Sequence, residues 1–405
     1  MDTYLHQLQM VGLDKLHQAG YSGEGVLIAV FDNGFLGVDT INGFEHLFRE
    51  NRIYAARDFV DGDDNVYESC NHCRHGTNVL SILAAKMPGY LIGTAPDASY
   101  LLLRTEDDSR ENPQEEDNWL AAAEYADSLG AQVFTTSLGY FDFDGEENDY
   151  QLSDLDGNTA TITRAGDIAA SKGIIVVNSA GNSGTRGINA PADGDSILAI
   201  AAVDQCQDLA PFSSRGPSFD GRIKPELAAM GSGNTLLRHD GSLARGSGTS
   251  FSCPIISGLT ACLLQAAPNA SNLEMYDALF QSASQFDAPD FDIGYGIPDG
   301  AEALRILAGS EAIQKGPTDF PLSILYPNPN QGAFDLIFQP NALPARIEVD
   351  IIDLQGRSVF QDVFSLSAIR PQIHIETALQ AGLYHINLQE MESGQRLEGK
   401  KLWIR

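Results

Sequence analysis

The sequence of 405 residues is long enough for two or more domains, and its 25 Lys and Arg against 55 Asp and Glu give a net charge of −30. A surface of this sign repels phosphates, so we expect no binding of nucleic acid. No apolar run approaches the roughly 20 residues that span a bilayer, so we expect no transmembrane segment.

Residues 26–266 alternate short apolar, β-branched runs with segments of helical periodicity. Strands that alternate with helices imply crossover connections, so we expect an α/β fold with a mostly parallel sheet and helices on both faces. The predicted strands are Val26–Phe31, Tyr100–Leu103, Val133–Thr136, Ile174–Val177 and Ile197–Ala201. The predicted helices are His75–Lys86, Asn118–Ser128, Thr161–Ser171 and Ser250–Ala266.

Three polar residues follow or begin these elements. Asp32 directly follows the first predicted strand, His75 begins a helical pattern, and Asn182 lies on a glycine-rich loop after the strand Ile174–Val177. Functional groups of an open α/β sheet gather where strands end and the following helices begin. We therefore expect these three side chains at one edge of the sheet.

A serine also lies at the start of a predicted helix, and it is a candidate nucleophile that the other three residues could assist. Gly248, Thr249 and Ser250 form a small-residue turn that leads into an apolar helix. The helix N-terminus favours negative charge beside the hydroxyl, and the glycine lets a substrate backbone approach closely. Such a turn alone is more often a helix cap, because a nucleophilic serine needs a base and the base needs an orienting group.

The four segments together resemble the motifs of the subtilisin-like serine proteases (subtilases). AVFDNG resembles the aspartate motif of that family, HGTNVLSILAA the histidine motif, SAGNSG the oxyanion asparagine motif and GTSFSCP the serine motif. The resemblance covers roughly residues 10–305, and four motifs in this order are specific evidence.

The resemblance implies a role for each residue. Ser250 would attack the scissile carbonyl, His75 would accept and return its proton, and Asp32 would orient the imidazole. The Asn182 side chain and the Ser250 backbone N–H would form the oxyanion hole. An extended substrate would pair with two strand-like segments. These segments are Ser137, Leu138 and Gly139 on one side and Ser179, Ala180 and Gly181 on the other.

The chain departs from the family pattern at three positions outside the proposed triad. Asn33 replaces a small hydroxyl residue, Asn78 replaces a histidine, and Ile255 replaces the histidine common after Pro254. We expect these departures to alter local packing more than chemistry, and Ile255 to add apolar burial.

The C-terminal region has a different pattern. A Gly/Pro-punctuated linker at 311–321 separates the peptidase-like domain (1–310) from residues 322–405, where short alternating strands predict a small all-β sandwich. The predicted strands are Phe334–Phe338, Ile347–Leu354, Gln372–Ile375, Gly382–Leu388 and Gly399–Ile404. Four motifs resemble the C-terminal sorting domain of type IX secretion in bacteria of the Bacteroidetes kind: Tyr326–Pro329, Asp353–Arg357, Ala381–Tyr384 and Lys400–Lys401. A generic β-sandwich accessory domain is the alternative.

The sorting-domain resemblance implies secretion machinery as a partner and a secreted or cell-surface location. The chain opens on Met1 and Asp2 without a signal-like apolar segment or room for a pro-region, so we expect a trimmed or mature form of an exported protein. A cytoplasmic enzyme is the alternative.

Cys70 and Cys73 form a Cys-x-x-Cys pair just before the proposed base. This spacing is compatible with a metal site, a redox pair or a small disulfide. In an exported protein the oxidising surroundings favour the disulfide. We expect Cys253 and Cys262 to be small buried groups on a helix, and we assign no role to Cys206.

Two acidic stretches, Glu106–Asp117 and Asp142–Asp156, follow predicted strands. We expect solvated loops. One alternative is structural calcium, which subtilases often carry, although the spacing identifies no ligands. The other is an acidic rim of the cleft that favours basic residues in the substrate.

The sequence therefore predicts a secreted serine endopeptidase that hydrolyses protein or peptide substrates and needs no cofactor for its chemistry. The alternative is an inactive protease-like surface or binding protein, in which the motifs survive without turnover.

Overall fold

The computed structural model describes residues 3–68, 73–312, 323–326, 332–338, 346–353, 357–365, 372–391 and 400–404. The chain divides into one unit at Met1–Gly309 and a second at Ser310–Arg405. Residues 313–321 of the predicted linker lie outside the described residues, and the two before them end a helix.

The described helices are α1 (Thr3–Gln9), α2 (Leu13–Gln18), α3 (Glu45–Arg49), α4 (His75–Ala84), α5 (Gln114–Ser128), α6 (Thr161–Ser171), α7 (Thr249–Ala266), α8 (Asn272–Gln281) and α9 (Gly300–Ala312). The strands of the first unit are β1 (Leu27–Asp32), β2 (Ile53–Asp58), β3 (Lys86–Met87), β4 (Leu91–Ile92), β5 (Ser99–Arg104), β6 (Val133–Thr136), β7 (Ile175–Ser179), β8 (Ile197–Val203), β9 (Leu227–Met230), β10 (Asn234–Leu237) and β11 (Leu243–Gly246).

Seven strands form the central sheet in the order β2-β5-β1-β6-β7-β8-β9, and every neighbouring pair is parallel. The five predicted strands are the five inner ones, which confirms the predicted fold class. The sequence did not reveal the edge strands β2 and β9. Strand β2 is half-buried and lacks a continuous apolar run, and β9 is rich in alanine, which has a weak strand preference.

The alternation of side chains along β1 separates two helical layers. Ile28 and Val30 pack into the core that contains α4 and α7, whereas Ala29 and Phe31 pack into the core that contains α5 and α6. On the second face the ring of Phe31 stacks on Trp119 with centroids 4.9 Å apart. Both faces are therefore covered, as an all-parallel sheet requires.

Among the described residues, one helix is long and apolar enough to cross a membrane by length and composition alone, and this helix is α7. In the structure every residue from Thr249 to Leu264 is buried. Ile255, one of the departures from the family pattern, is fully buried in the core, as expected. The apolar character of α7 thus matches its place as a core helix.

The carboxyl edge of the sheet collects the ends of several elements. Asp32 is the last residue of β1, Ser137 directly follows β6, and Ser179 ends β7. His75 is the first residue of α4, and Ser250 is the second residue of α7. The fold therefore brings the sequence-predicted residues to one edge.

The C-terminal unit is built from β12 (Ser323–Tyr326), β13 (Ala333–Phe338), β14 (Arg346–Ile352), β15 (Ser358–Ser365), β16 (Gln372–Glu376), β17 (Gly382–Glu390) and β18 (Lys400–Ile404). Two antiparallel sheets, β12-β13-β16 and β15-β14-β17-β18, contribute side chains to one apolar core. This confirms the predicted all-β region, to which the structure adds β12 and β15. Residues 327–329 and 354–356 of the sorting-domain motifs lie outside the described residues.

Candidate active site

The first half of the site joins β1 to α4. The Nδ1 atom of His75 lies 2.8 Å from Oδ1 and 3.0 Å from Oδ2 of Asp32, which is fully buried. This close approach requires glycine at position 76, because a Cβ there would lie 2.4 Å from the carbonyl oxygen of Gly34 and 2.9 Å from Cβ of Asp32. The His-Gly-Thr sequence is thus explained by the contact between the two elements.

The charge around His75 favours its protonated form. Burial of the imidazole lowers its pKa, but the charge of Asp32, the hydrogen bond to Asp32 and the charge of Asp108 together outweigh burial and raise the pKa of His75. The side chain of His75 remains 33% exposed, so the ring edge opposite Asp32 can meet a substrate.

Asn33 links Asp108 to this pair. Its Nδ2 donates to Oδ1 of Asp108 at 2.7 Å, and its Oδ1 accepts from the backbone N–H of Gly76 at 3.4 Å. The residue that replaces the family's small hydroxyl side chain therefore holds a carboxylate near His75.

The second half of the site is the start of α7. Gly248 precedes the helix with φ 154°, a conformation that L side chains rarely adopt. The hydroxyl of Ser250 donates to the carbonyl oxygen of Ser137 at 3.4 Å, and no hydrogen bond joins Ser250 to His75 among the described residues. In this structure the hydroxyl partner of Ser250 is therefore the backbone of Ser137.

The amide of Asn182 has a fixed orientation. Its Oδ1 accepts from the backbone N–H of Thr249 at 2.9 Å and from the hydroxyl of Thr249 at 3.2 Å. The oxygen therefore faces the start of α7, and the NH₂ group is not engaged by Thr249. Asn182 is exposed, so this NH₂ group is accessible to a ligand.

Ser250 and Asn182 line one cavity of about 210 Å³. Five of the six predicted substrate-binding residues line it too, whereas Ala180 does not and is fully buried. Ser183 and Asn189 line the cavity although the sequence did not identify them. The whole lining is Ser137, Leu138, Gly139, Ser179, Gly181, Asn182, Ser183, Asn189 and Ser250.

Some residues of the site were not predicted from the sequence, and the sequence pattern around them pointed to a functional role to different degrees. Asn33 was visible as a departure from the family pattern, and Asp108 lay within an acidic stretch without distinction from its neighbours. Thr249 belongs to the serine motif, but its bond to Asn182 was not expected. Asn189 lies in a loop without any motif, so only the folded structure reveals it.

The first acidic stretch is not the solvated loop that we expected, because Glu106, Glu115 and Glu116 are buried and its last residues begin α5. The second stretch contacts other polar groups of the chain. Asp142 pairs with Arg186, and Asp156 accepts from the backbone N–H groups of Asn158 and Thr159. The described residues contain no group of three or more His, Cys, Asp or Glu side chains that could hold a metal ion. Calcium binding therefore stays a prediction without identified ligands.

Cys73 is buried and disulfide-bonded, whereas Cys206, Cys253 and Cys262 are free. Cys253 and Cys262 are buried, as expected. Cys70, which we expected to pair with Cys73, lies outside the described residues.

Comparison with known protein families gives two matches. The model of the subtilase family matches residues 23–296, and the model of a secretion system C-terminal sorting domain matches residues 324–405. Residues 297–323 lie between the two matches.

Among known relatives, the thermophilic serine proteinase of Bacillus sp. (strain AK1) is 31% identical over 68% of this chain and 60% of its own length. The subtilisin-like protease SBT6.1 of Arabidopsis thaliana is 28% identical over 74% of this chain and 27% of its own length. The chain thus spans less than two thirds of both proteins. Thermitase of Thermoactinomyces vulgaris is 29% identical over 62% of this chain and 79% of its own length.

Solved structures agree in fold. MycP1 from Mycobacterium smegmatis superimposes with a TM-score of 0.58 at 22% identity, over 74% of this chain and 84% of the other. At this identity the likeness concerns the fold alone. The matched family model covers most of the chain and includes all four motifs, and we conclude that the chain belongs to the subtilase family and carries a C-terminal secretion sorting domain.

Proposed function

We propose that the protein is a secreted serine endopeptidase that cleaves peptide bonds through an acyl-enzyme intermediate. The observation that carries the proposal is the hydrogen bond between His75 Nδ1 and Asp32, made at the sheet edge where Ser250 begins its helix. This bond fixes the tautomer in which Nε2 is free to accept a proton, and the carboxylate stabilises the imidazolium that forms.

Each step of the reaction has a residue to perform it. Oγ of Ser250 forms a bond to the carbonyl carbon of the substrate while its proton passes to Nε2 of His75. The imidazolium then gives this proton to the leaving amine as the C–N bond breaks. Water attacks the acyl-enzyme with the same proton transfers, which releases the acid product and restores Ser250.

Attack requires the hydroxyl of Ser250 to turn toward His75. The bond that now holds it, to the carbonyl oxygen of Ser137, is long at 3.4 Å and therefore weak. We propose that this weak bond gives way to one with the imidazole when the substrate binds. Catalytic hydrogen bonds are often long or unmade in unliganded enzymes and form when the substrate binds.

The negative charge that develops on the carbonyl oxygen would be stabilised by the NH₂ group of Asn182 and the backbone N–H of Ser250. The anchoring of Asn182 Oδ1 by Thr249 supports this role, because it sets the amide orientation before the substrate arrives. The cavity that both residues line is the place for the substrate residue next to the cleaved bond.

We propose that the C-terminal unit delivers the protein to secretion machinery, which would place the enzyme outside the cell or at its surface. The match of residues 324–405 to a secretion system sorting domain supports this destination. In the native host, removal of this unit should leave the protein inside the cell without loss of peptidase activity, and export of the truncated chain would contradict the assignment.

Labelling with a fluorophosphonate, which reacts covalently with an activated serine, tests the proposed activity. We expect wild-type protein to be labelled, and Ser250→Ala to abolish the label while the fold is retained. A folded wild type that never labels would instead support the alternative, an inactive protease-like binding protein.

A further inference from the structure

Asn189 lines the cavity beside Ser250 but has no part in the proposed reaction. It is partly buried, and its side-chain amide has no hydrogen-bond partner among the residues that the structure describes. A primary amide offers two donors and an acceptor, so this group is open to a ligand.

The backbone holds Asn189 in a fixed place. Its N–H donates to the carbonyl oxygen of Ala180 at 3.4 Å, and its own carbonyl accepts from the N–H of Ala192 at 2.8 Å. A Cβ on Gly139 would lie 3.0 Å from Cβ of Asn189, and one on Gly181 would lie 3.2 Å from its Cγ. The side chain therefore lies between the two segments that are expected to pair with the substrate.

The rest of the cavity is small, polar and uncharged. Its other residues are serines, glycines and Asn182, with Leu138 as the one large apolar side chain. A charged substrate side chain would enter without a counter-charge and would lose part of its water, which is costly. An apolar one would remove water from the Asn189 amide and leave it without a partner.

The position of the cavity decides which substrate residue it receives. Ser250 and Asn182 would bind the carbonyl carbon and oxygen of the cleaved bond, and both line the cavity. The side chain that enters is then the one attached next to this carbonyl, on the acyl side of the cleaved bond.

We infer that Asn189 makes the enzyme select a neutral side chain that both donates and accepts hydrogen bonds, glutamine or asparagine, on the acyl side of the cleaved bond. An amide of the substrate forms two hydrogen bonds with the amide of Asn189, which charged and apolar residues cannot do. The inference rests on the proposed endopeptidase function.

The test uses four peptides that differ only in this residue: glutamine, methionine, glutamate or lysine. Methionine matches glutamine in length without its hydrogen bonds, and glutamate differs from it mainly by charge. For the wild-type protein we expect kcat/KM for the glutamine peptide to exceed each of the other three about tenfold, the size of one to two net hydrogen bonds.

Two variants check the role of Asn189. Asn189→Ala should bring the ratio of kcat/KM between the glutamine and methionine peptides close to one. Asn189→Asp, which keeps the shape, should make lysine the preferred residue. Asn158→Ala, at an exposed turn outside the cavity, is the matched control and should leave all ratios unchanged.

Fluorophosphonate labelling of Ser250 does not require this substrate residue, so it separates the two hypotheses. If the wild type is labelled but prefers methionine, or if Asn189→Ala leaves the glutamine preference intact, the inference on Asn189 is overturned while the peptidase stands. If the wild type is neither labelled nor active, the proposed function itself is wrong.

Discussion

Two buried carboxylates at the same edge of the central sheet, Asp32 and Glu106, have opposite surroundings. Asp32 ends β1 and pairs in register with Arg104 of β5, two residues before Glu106. Asp32 meets the imidazole of His75 and a backbone N–H, whereas Glu106 accepts hydrogen bonds from the hydroxyls of Tyr140 at 2.5 Å and Thr105 at 2.9 Å.

These partners give the two groups different chemistry. Burial raises the pKa of Glu106 well above its usual value, the charge of Glu115 raises it further, and the two hydroxyl groups oppose this rise. Asp32 instead faces an imidazole whose positive charge it would stabilise. At this edge the partner, rather than burial alone, sets the proposed role of each carboxylate, which is catalysis for Asp32 and the fold for Glu106.

The same chemical change at the two positions should therefore have very different effects on activity. Asp32→Asn should lower kcat by about 10⁴-fold, because the amide favours the wrong imidazole tautomer and does not stabilise its charge. Glu106→Gln should change kcat by no more than about threefold, since one net hydrogen bond is the most it disturbs. Steady-state kinetics on one peptide substrate measures both, with melting temperature as the check on folding. Equal losses would remove the distinction between the two carboxylates.

Asn182 is a second residue to which we propose a catalytic role. Asn182→Ala should lower kcat by about 10²–10³-fold, a magnitude carried over from the oxyanion-hole asparagine of subtilisin, a member of this family. KM should change much less, because the amide binds the oxyanion more strongly than the ground-state carbonyl. Asn272→Ala, which removes an asparagine that bonds Ala170 instead, is the matched control. A change confined to KM would show that Asn182 only binds the substrate.

The effect of Glu106 should appear in stability rather than in rate. In the unfolded chain this carboxyl loses its proton near its ordinary pKa of 4.5, whereas the folded state retains the proton to higher pH. The folded state then holds more protons, so the stabilisation present below pH 4.5 is lost as the pH rises toward the folded-state pKa. Glu106→Gln does not ionise at this position. The melting temperature of the wild type should therefore fall relative to that of the variant as the pH rises above 4.5. A difference in melting temperature between the two proteins that stays constant with pH would contradict this account of Glu106.

The sequence predicted which residues gather at the candidate site better than it predicted their surroundings, for physical reasons. Asp32, His75, Asn182 and Ser250 each stand at the end of a strand or the start of a helix, and chain order with local pattern is enough to find such places. Asn189 acquires its position only through folding, when its loop comes to lie between segments far away in sequence.

The strands of the central sheet likewise differ in how well the sequence predicted them. Inner strands such as Val133–Thr136 are buried on both faces and were predicted with correct bounds, whereas the edge strands Ile53–Asp58 and Leu227–Met230 were not. The first of these edge strands is only half-buried, and the second is buried but rich in alanine, so neither has the β-branched, apolar run that predicts a strand. Likewise nothing in the sequence distinguished Asp108 from its acidic neighbours, because the effect of its charge on the pKa of His75 depends on the hydrogen bond from Asn33 that holds it there.

The hydrogen bond from Asn33 to Asp108 leads to the smallest predicted effect, which is a change in the pH dependence of activity. His75 must be neutral to accept a proton, so kcat/KM falls as the pH drops through the pKa of His75. Two charges, Asp32 and Asp108, raise this pKa against the effect of burial. Asp108→Asn removes one of them, so the acidic limb of the pH profile should move to lower pH with little change in the plateau. Asp107→Asn, one residue away with the same loss of charge, is the matched control, and the difference should shrink with added salt. An unmoved limb, or an equal shift in both variants, would mean that Asp108 does not act on His75 through its position.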